Sequence, residues 1–341
     1  MFNLNNVLDF SVKNNASDIH FSSGLSPYLR IQGTLRKVEM DFVSNDDLIT
    51  NFKQICTENQ WDYFQKNLEI DFSIAIQNIA RFRVNIYHQS NGISAAFRVI
   101  PHKIRTLDEL QMPPSLINLT KKRKGLILCT GPTGSGKSTT LAAMIDQINS
   151  ERKVHIITIE DPIEYVHSSK KSLIHQRELG SHTKSFAAAL RASLREDPDI
   201  ILIGEMRDLE TISLALHAAE TGHLVLSTLH TNTAAETVDR IVDVFPSDQQ
   251  KQIQIQLANT IEGVIAQRLV PKQNSSDRAA IIELMLGVSS VRNLIREGKS
   301  YQIMSVIQTG SQYGMQTYEK SLQSFVNKGM VAASALEEFI S

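Results

Sequence analysis

Gly131-Pro132-Thr133-Gly134-Ser135-Gly136-Lys137-Ser138 stands between an apolar run, Leu126-Ile127-Leu128-Cys129, and a helical pattern from Thr139 to Asn149. The run is short and apolar enough for a buried strand, while Leu141, Ala142, Met144, Ile145 and Ile148 recur at helical spacing. Strand, glycine-rich turn and helix in this order make a phosphate-binding loop. Gly131, Gly134 and Gly136 allow backbone angles and a close approach that a Cβ forbids, so successive N–H groups can converge on phosphate oxygens. The helix N-terminus adds partial positive charge. Lys137, read as an exposed loop lysine, can reach the β and γ phosphates, and the Ser138 hydroxyl can ligate Mg²⁺. Pro132, Thr133, Ser135 and Thr139 complete the expected nucleotide-binding segment.

A chain of 341 residues exceeds the usual size of one core, so two domains are expected. Its hydrophobic content of 42 % and charged content of 21 % suit a water-soluble globular protein. No apolar run approaches the ~20 residues of a membrane span. Met1 to Asn15 lacks the basic start and apolar stretch of a signal peptide, which places the protein in the cytoplasm. Cys56 and Cys129 alone build neither a disulfide framework nor a four-thiolate zinc site. A net charge of −1 without a long basic run argues against non-specific nucleic-acid binding.

Residues 1–100 read as a small α+β domain. Ser17 to Phe21 and Tyr28 to Val38 suggest strands broken by Gly24, Pro27 and Gly33, and Asn45 to Gln65 carries a helical pattern. Ile70 to Ile76, Arg81 to Tyr87 and Ser94 to Val99 look like strands of one antiparallel sheet. Alternation there puts Phe82, Val84 and Ile86 on one face and Arg81 and Arg83 on the other. A linker over 101–114, marked by Pro101 and Pro113-Pro114, precedes a second domain over 115–341.

From Gly125 the alternation of strand and helix implies a parallel sheet with crossover helices, hence an α/β fold. Its core strands are Leu126 to Thr130, Val154 to Ile159, Ile200 to Ile203 and Leu224 to Thr228. Each ends in polar residues, at the edge where such sheets bind ligand. After Asp248 a helical region is expected, with Ile253, Leu257, Ile261 and Ile265 at steps of four.

Three polar clusters follow the phosphate loop at strand ends. Glu160-Asp161-Pro162-Ile163-Glu164 offers carboxylates to orient and deprotonate a water. Ile200 to Ile203 leads through Gly204 to Glu205, the usual position of the acid that holds hydrated Mg²⁺. Thr221 to Thr231 carries His223 and His230, and His230 can sense a γ-phosphate or a neighbouring subunit.

The set GPTGSGKST, IEDPIEYVH, DPDIILIGEMRD and TGHLVLSTLHTNTA resembles the ordered Walker A, Asp-box, Walker B and His-box signatures of the type II/IV secretion and pilus ATPases. Ser290 to Glu297 is similar to the Ala-Ile-Arg-Asn-Leu-Ile-Arg-Glu motif of the pilus-retraction branch, departing at its first two residues. The tetracysteine element usual in assembly and type II secretion members is lacking. The resemblance implies a homo-hexameric ring of subunits with a PAS-like N-terminal domain and a RecA-like P-loop ATPase domain ending in a helical C-terminal region. It implies ATP and Mg²⁺, with Lys137 on phosphate, Glu205 and Ser138 on Mg²⁺, Glu164 as water-activating base, and Arg81 and Arg83 presented to nucleotide. The implied partners are an inner-membrane pilus platform protein and an accessory paralogous ATPase, with no nucleic acid; the implied location is the cytoplasmic face of the inner membrane. A helix capped by Ser289 or Ser290 and ended by Gly298 would present Arg292 and Arg296 on a shared face to the membrane partner.

Overall fold

The computed structural model describes residues 2–77, 79–100, 103–273 and 277–335. Two compact units divide the chain, Met1–Lys103 and Ile104–Ser341. Pro101 of the expected linker lies outside the described residues.

In the N-terminal unit the elements are α1 (Leu4–Lys13), β1 (Asp18–Ser22), β2 (Tyr28–Ile31), β3 (Thr34–Lys37), α2 (Asn45–Ile55), α3 (Glu58–Asn67), β4 (Glu69–Ile76), β5 (Ala80–Gln89) and β6 (Gly92–Ile100). The strands form one antiparallel sheet in the order β3-β2-β1-β6-β5-β4. On β5, Phe82, Val84 and Ile86 are fully buried in a core that also takes in Phe21, Phe52 and Phe97. The single helical pattern over Asn45 to Gln65 resolves into two helices. Thr57 interrupts it, because its hydroxyl accepts from Gln60 N while the Gln60 side chain accepts from Thr57 N. Helix α1 was not anticipated, although Leu4, Val7, Leu8 and Ser11 are buried along one side and Asn3 caps it.

In the C-terminal unit the elements are α4 (Pro114–Thr120), β7 (Gly125–Thr130), α5 (Lys137–Glu151), β8 (His155–Glu160), β9 (Leu173–Glu178), α6 (Phe186–Ser193), β10 (Ile200–Ile203), α7 (Leu209–Glu220) and β11 (Leu224–Leu229). After them come α8 (Ala234–Asp243), α9 (Ser247–Thr260), β12 (Ile261–Pro271), β13 (Arg278–Leu286), α10 (Ser289–Glu297), α11 (Ile303–Thr309) and α12 (Tyr318–Asn327). The sheet order is β13-β12-β7-β11-β10-β8-β9, parallel except for β13. Leu126, Leu128, Ile157, Ile201 and Val225 pack on one face, and Ile127, Cys129, Ile156, Ile200 and Leu224 on the other. Burial on both faces is why these strands read as continuous apolar runs.

The expected helix through Ile265 is corrected. Helix α9 ends at Thr260, and Ile261 and Ile265 lie on β12, the first strand of a long antiparallel pair. Spacing by four fits a helix as well as a regular strand, and here a register shift between Ile261 and Gly263 sends Ile261 into the core on one face of the sheet and Ile265 into that on the other. Val264, Ile265 and β13 residues Ile281 and Ile282 favour the extended choice, since branched side chains pack well on a pleated surface.

Helix α10 also departs from expectation. Val288 is its N-cap and makes no side-chain capping bond, while Gly298 closes it in the left-handed conformation as expected. Arg292 does not face outward. Its Nε donates to Gly287 O at 2.6 Å, one terminal nitrogen to Ala258 O and Asn259 O, and the other to Glu262 Oε1 at 2.7 Å. It thereby satisfies the last carbonyls of α9 and ties that helix to the β13–α10 turn. Among the described residues the Arg296 side chain bonds only to Asn293 on its own helix, while its main-chain carbonyl accepts from Lys251 on α9.

Candidate active site

Every expected site segment of the C-terminal unit leaves the same edge of the sheet: the phosphate loop after β7, the Glu164 turn after β8, Glu205 after β10 and His230 after β11. Parallel strands bring together residues far apart in sequence because their C-terminal ends align. His223 precedes β11 and so belongs to the opposite edge, where its Nδ1 lies 3.0 Å from Ala218 O at the end of α7. The sheet therefore does not bring it together with the phosphate loop.

The loop has the geometry that phosphate needs. Gly131 and Gly136 have φ of +140° and +86°, and a Cβ on either would come within 2.7 Å of Gln267 atoms. Ser135 is buried and its hydroxyl has no hydrogen-bond partner among the described residues. An orphaned hydroxyl within a glycine cradle fits an anionic oxygen. Lys137 is the first residue of α5 and is buried, not exposed. Its ammonium donates to Gly131 O at 2.8 Å and Pro132 O at 3.0 Å. Burial lowers its pKa, opposed by Cys129 and by the charges of Glu205 and Glu164, which places both carboxylates in its field. Thr139, in the first turn, pairs its hydroxyl with Tyr165 OH at 2.8 Å.

Glu205 is held from two sides. Arg207 contacts one carboxylate oxygen at 2.8 Å, and His230 Nε2 lies 3.2 Å from the other. Burial alone would raise its pKa, but the Arg207 hydrogen bond and the His230 and Arg207 charges outweigh that and lower it. Glu205 therefore stays ionised at neutral pH. Behind it, Thr228 Oγ1 donates to Gly204 O at 2.6 Å and Ser227 Oγ to Ile203 O at 2.8 Å. With Ser138 in the first turn of α5, the site offers a hydroxyl and a carboxylate, the hard oxygen donors that suit Mg²⁺. Among the described residues no three His, Cys, Asp or Glu side chains gather as a ready cation cage.

The turn bearing Glu164 is anchored by side chains that sequence reading missed. Gln176 on β9 donates to Glu160 Oε1 at 3.2 Å and to Tyr165 O at 2.8 Å, and accepts from His167 N at 2.8 Å. Glu178, two residues along, accepts from Ile163 N at 3.1 Å. Strand β9 itself carried no usable signal, because Leu173-Ile174-His175-Gln176-Arg177-Glu178 is mostly polar on a sheet edge. Glu160 accepts from Thr158 and Gln176 and from Glu164 N. Even so, burial pushes its carboxyl up to about 7 from 4.5. The folded state thus binds a proton that the unfolded chain releases, so this group lowers stability as pH rises from 4.5 to about 7. Urea unfolding of Glu160→Gln at pH 5 and pH 8 is expected to show a smaller loss over that interval than the native protein.

Arg81 and Arg83 lie on β5 of the N-terminal unit. Arg81 donates to Ser73 Oγ and Arg83 pairs with Asp71 through two nitrogens, both partners being on β4. Their place on the face away from the phenylalanine core agrees with the alternation read from sequence.

The type II/IV secretion system protein family matches residues 2–338, nearly the whole chain. The chain belongs to this family. Among relatives of this secretion family, it is 48 % identical over 332 residues to the type IV pilus retraction ATPase PilT of Pseudomonas aeruginosa, covering 97 % of this chain and 96 % of that protein. It is 50 % identical over 310 residues to a twitching motility protein of Neisseria gonorrhoeae, covering 91 % of this chain and 83 % of the relative. The crystal structure of the pilus retraction motor PilT with bound ADP superposes with a TM-score of 0.93 at 43 % identity, covering 99 % of this chain and 97 % of that one. Within the secretion family such full-length agreement includes the β12–β13 pair and the N-terminal unit as well as the phosphate loop.

Proposed function

We propose that this chain is an Mg²⁺-dependent ATPase motor that powers retraction of type IV pili. The observation that carries the reading is identity near one half over almost the full length to a pilus retraction ATPase. Lys137, Ser135 and the loop N–H groups bind the phosphates of ATP. Glu205 and Ser138 hold Mg²⁺, whose charge offsets that of the phosphates. Glu164 orients and deprotonates the attacking water, and His230, against Glu205, reports the state of the γ-phosphate. Arg81 and Arg83 approach nucleotide from a PAS-like N-terminal domain, since a rigid guanidinium neutralises charge spread over transferring oxygens. The RecA-like domain works in a homo-hexameric ring at the cytoplasmic face of the inner membrane, against a pilus platform protein and beside an accessory ATPase. Nucleotide states that bind closed and open subunits with different affinity drive the motion. Among the described residues no helix is long and apolar enough to cross a membrane.

Cells lacking the protein are expected to carry abundant surface pili that no longer retract. A chain carrying Lys137→Ala is expected not to restore retraction, with purified turnover lower by about 10²-fold or more, the scale for losing one charge-stabilising donor. Retraction at normal frequency in the deletion strain would refute the assignment. It would favour the accessory or assembly role of the same fold.

A further inference from the structure

Gln267, outside the β7–α5 segment, meets the phosphate loop at both ends, with its side chain at Ser135 and its main-chain carbonyl against Gly131. It is 1 % exposed. The registered pairing of β12 with β7 ends at Ala266 opposite Thr130, so Gln267 occupies the next position, where β7 leaves the sheet to become the loop. There its side chain takes over from the ladder. Nε2 donates to Ser135 O at 2.6 Å, and Oε1 accepts from Thr140 Oγ1, on the first turn of α5, at 2.7 Å. A Cβ on Gly131 would lie 2.3 Å from Gln267 O, and one on Gly136 would lie 2.7 Å from Gln267 Nε2. The loop is built around this residue.

Both amide ends are used, and their roles cannot be exchanged. The Ser135 carbonyl only accepts, so the NH₂ must face it, which leaves the amide oxygen for Thr140. A trans peptide is planar, and its C=O and following N–H point to opposite sides. Holding Ser135 O toward Gln267 therefore turns the Gly136 N–H away from β12. Resting on the reading of this loop as the ATP site, we propose that Gln267 is a positioning residue for ATP binding. By bridging Ser135 and Thr140 it fixes the peptide that presents the Gly136 N–H to phosphate.

The purified full-length chain provides the test, with ATP as the probe and KM and kcat measured separately. Gln267→Leu keeps the volume and removes both bonds. Gln267→Glu keeps an acceptor for Thr140 but sets a carboxylate oxygen against Ser135 O. Both variants are expected to raise KM for ATP at least ten-fold, while kcat at saturating ATP changes less than three-fold, because a misplaced loop N–H is lost to substrate and transition state alike. A folded Gln267→Leu protein with native KM would overturn the proposal, as would a loss confined to kcat. Should Gln267→Leu fail to fold, Thr140→Val removes only the Oε1 bond; a rise in KM of about three-fold supports the proposal and an unchanged KM overturns it. Native protein that neither binds nor turns over ATP would remove the underlying reading, and this proposal with it. Native turnover beside an unaltered Gln267→Leu variant removes the proposal alone.

Discussion

Arg292→Ala is expected to lower the stability of the C-terminal unit by about 2–4 kcal/mol, read as a fall in the urea midpoint at unchanged slope. The guanidinium serves three main-chain carbonyls and Glu262 at once, and its side chain and that of Glu262 are 19 % and 16 % exposed. Removing it strands a shielded carboxylate, which Lys122 alone then neutralises at 2.7 Å, and leaves the end of α9 without its partner. Arg296→Ala is the control. Its side chain reaches no further than Asn293, so its effect should stay within about 0.5 kcal/mol. A pilus defect in the Arg292 variant alone would thus report folding, while one in the Arg296 variant would report docking. Equal midpoints for the native and Arg292→Ala proteins would overturn the clamp.

Glu164→Gln is expected to retain ATP and Mg²⁺ binding while lowering kcat by about 10²–10⁴-fold, the range for a lost general base. Glu205→Gln is expected to weaken the response to Mg²⁺ as well, because Arg207 and His230 hold its carboxylate ionised. Bound nucleotide and turnover across an Mg²⁺ titration separate the two. Unaltered hydrolysis in Glu164→Gln would move the base to Glu205.

What the sequence disclosed and what it hid follow from the range of the forces involved. The phosphate loop was legible because its glycines and lysine answer to local geometry between a strand and a helix. Glu205 and His230 were legible because buried parallel strands announce themselves as apolar runs and their ends must align. Gln267 was not legible: it acts on a loop more than a hundred residues earlier, and a lone glutamine in an apolar strand carries no spacing signal. Gln176 and Glu178 were hidden for the same reason, on an edge strand too polar to be recognised. Arg292 was misread because the pattern of a helix face gives the side a residue occupies but not whether another helix ends against it. The transition at Ile261 was misread because a step of four fits a helix, while a register shift between Ile261 and Gly263 breaks the strand's own alternation.

Strand β9 is one of the two edge strands of the seven-stranded sheet, paired among the described residues to β8 alone. Outer strands are the first to fray, since they open without breaking a second ladder. The turn that carries Glu164 is fastened to this strand by Gln176 and Glu178, whereas Glu205 follows β10, which has a neighbour on each side. The two acids thus differ in mechanical support: both follow interior strands, but the turn of one is also fastened to the margin of the sheet. On the roles proposed for these acids, fraying of that margin would slow turnover while leaving the protein folded and Glu205 in place, a failure seen in turnover before it is seen in melting.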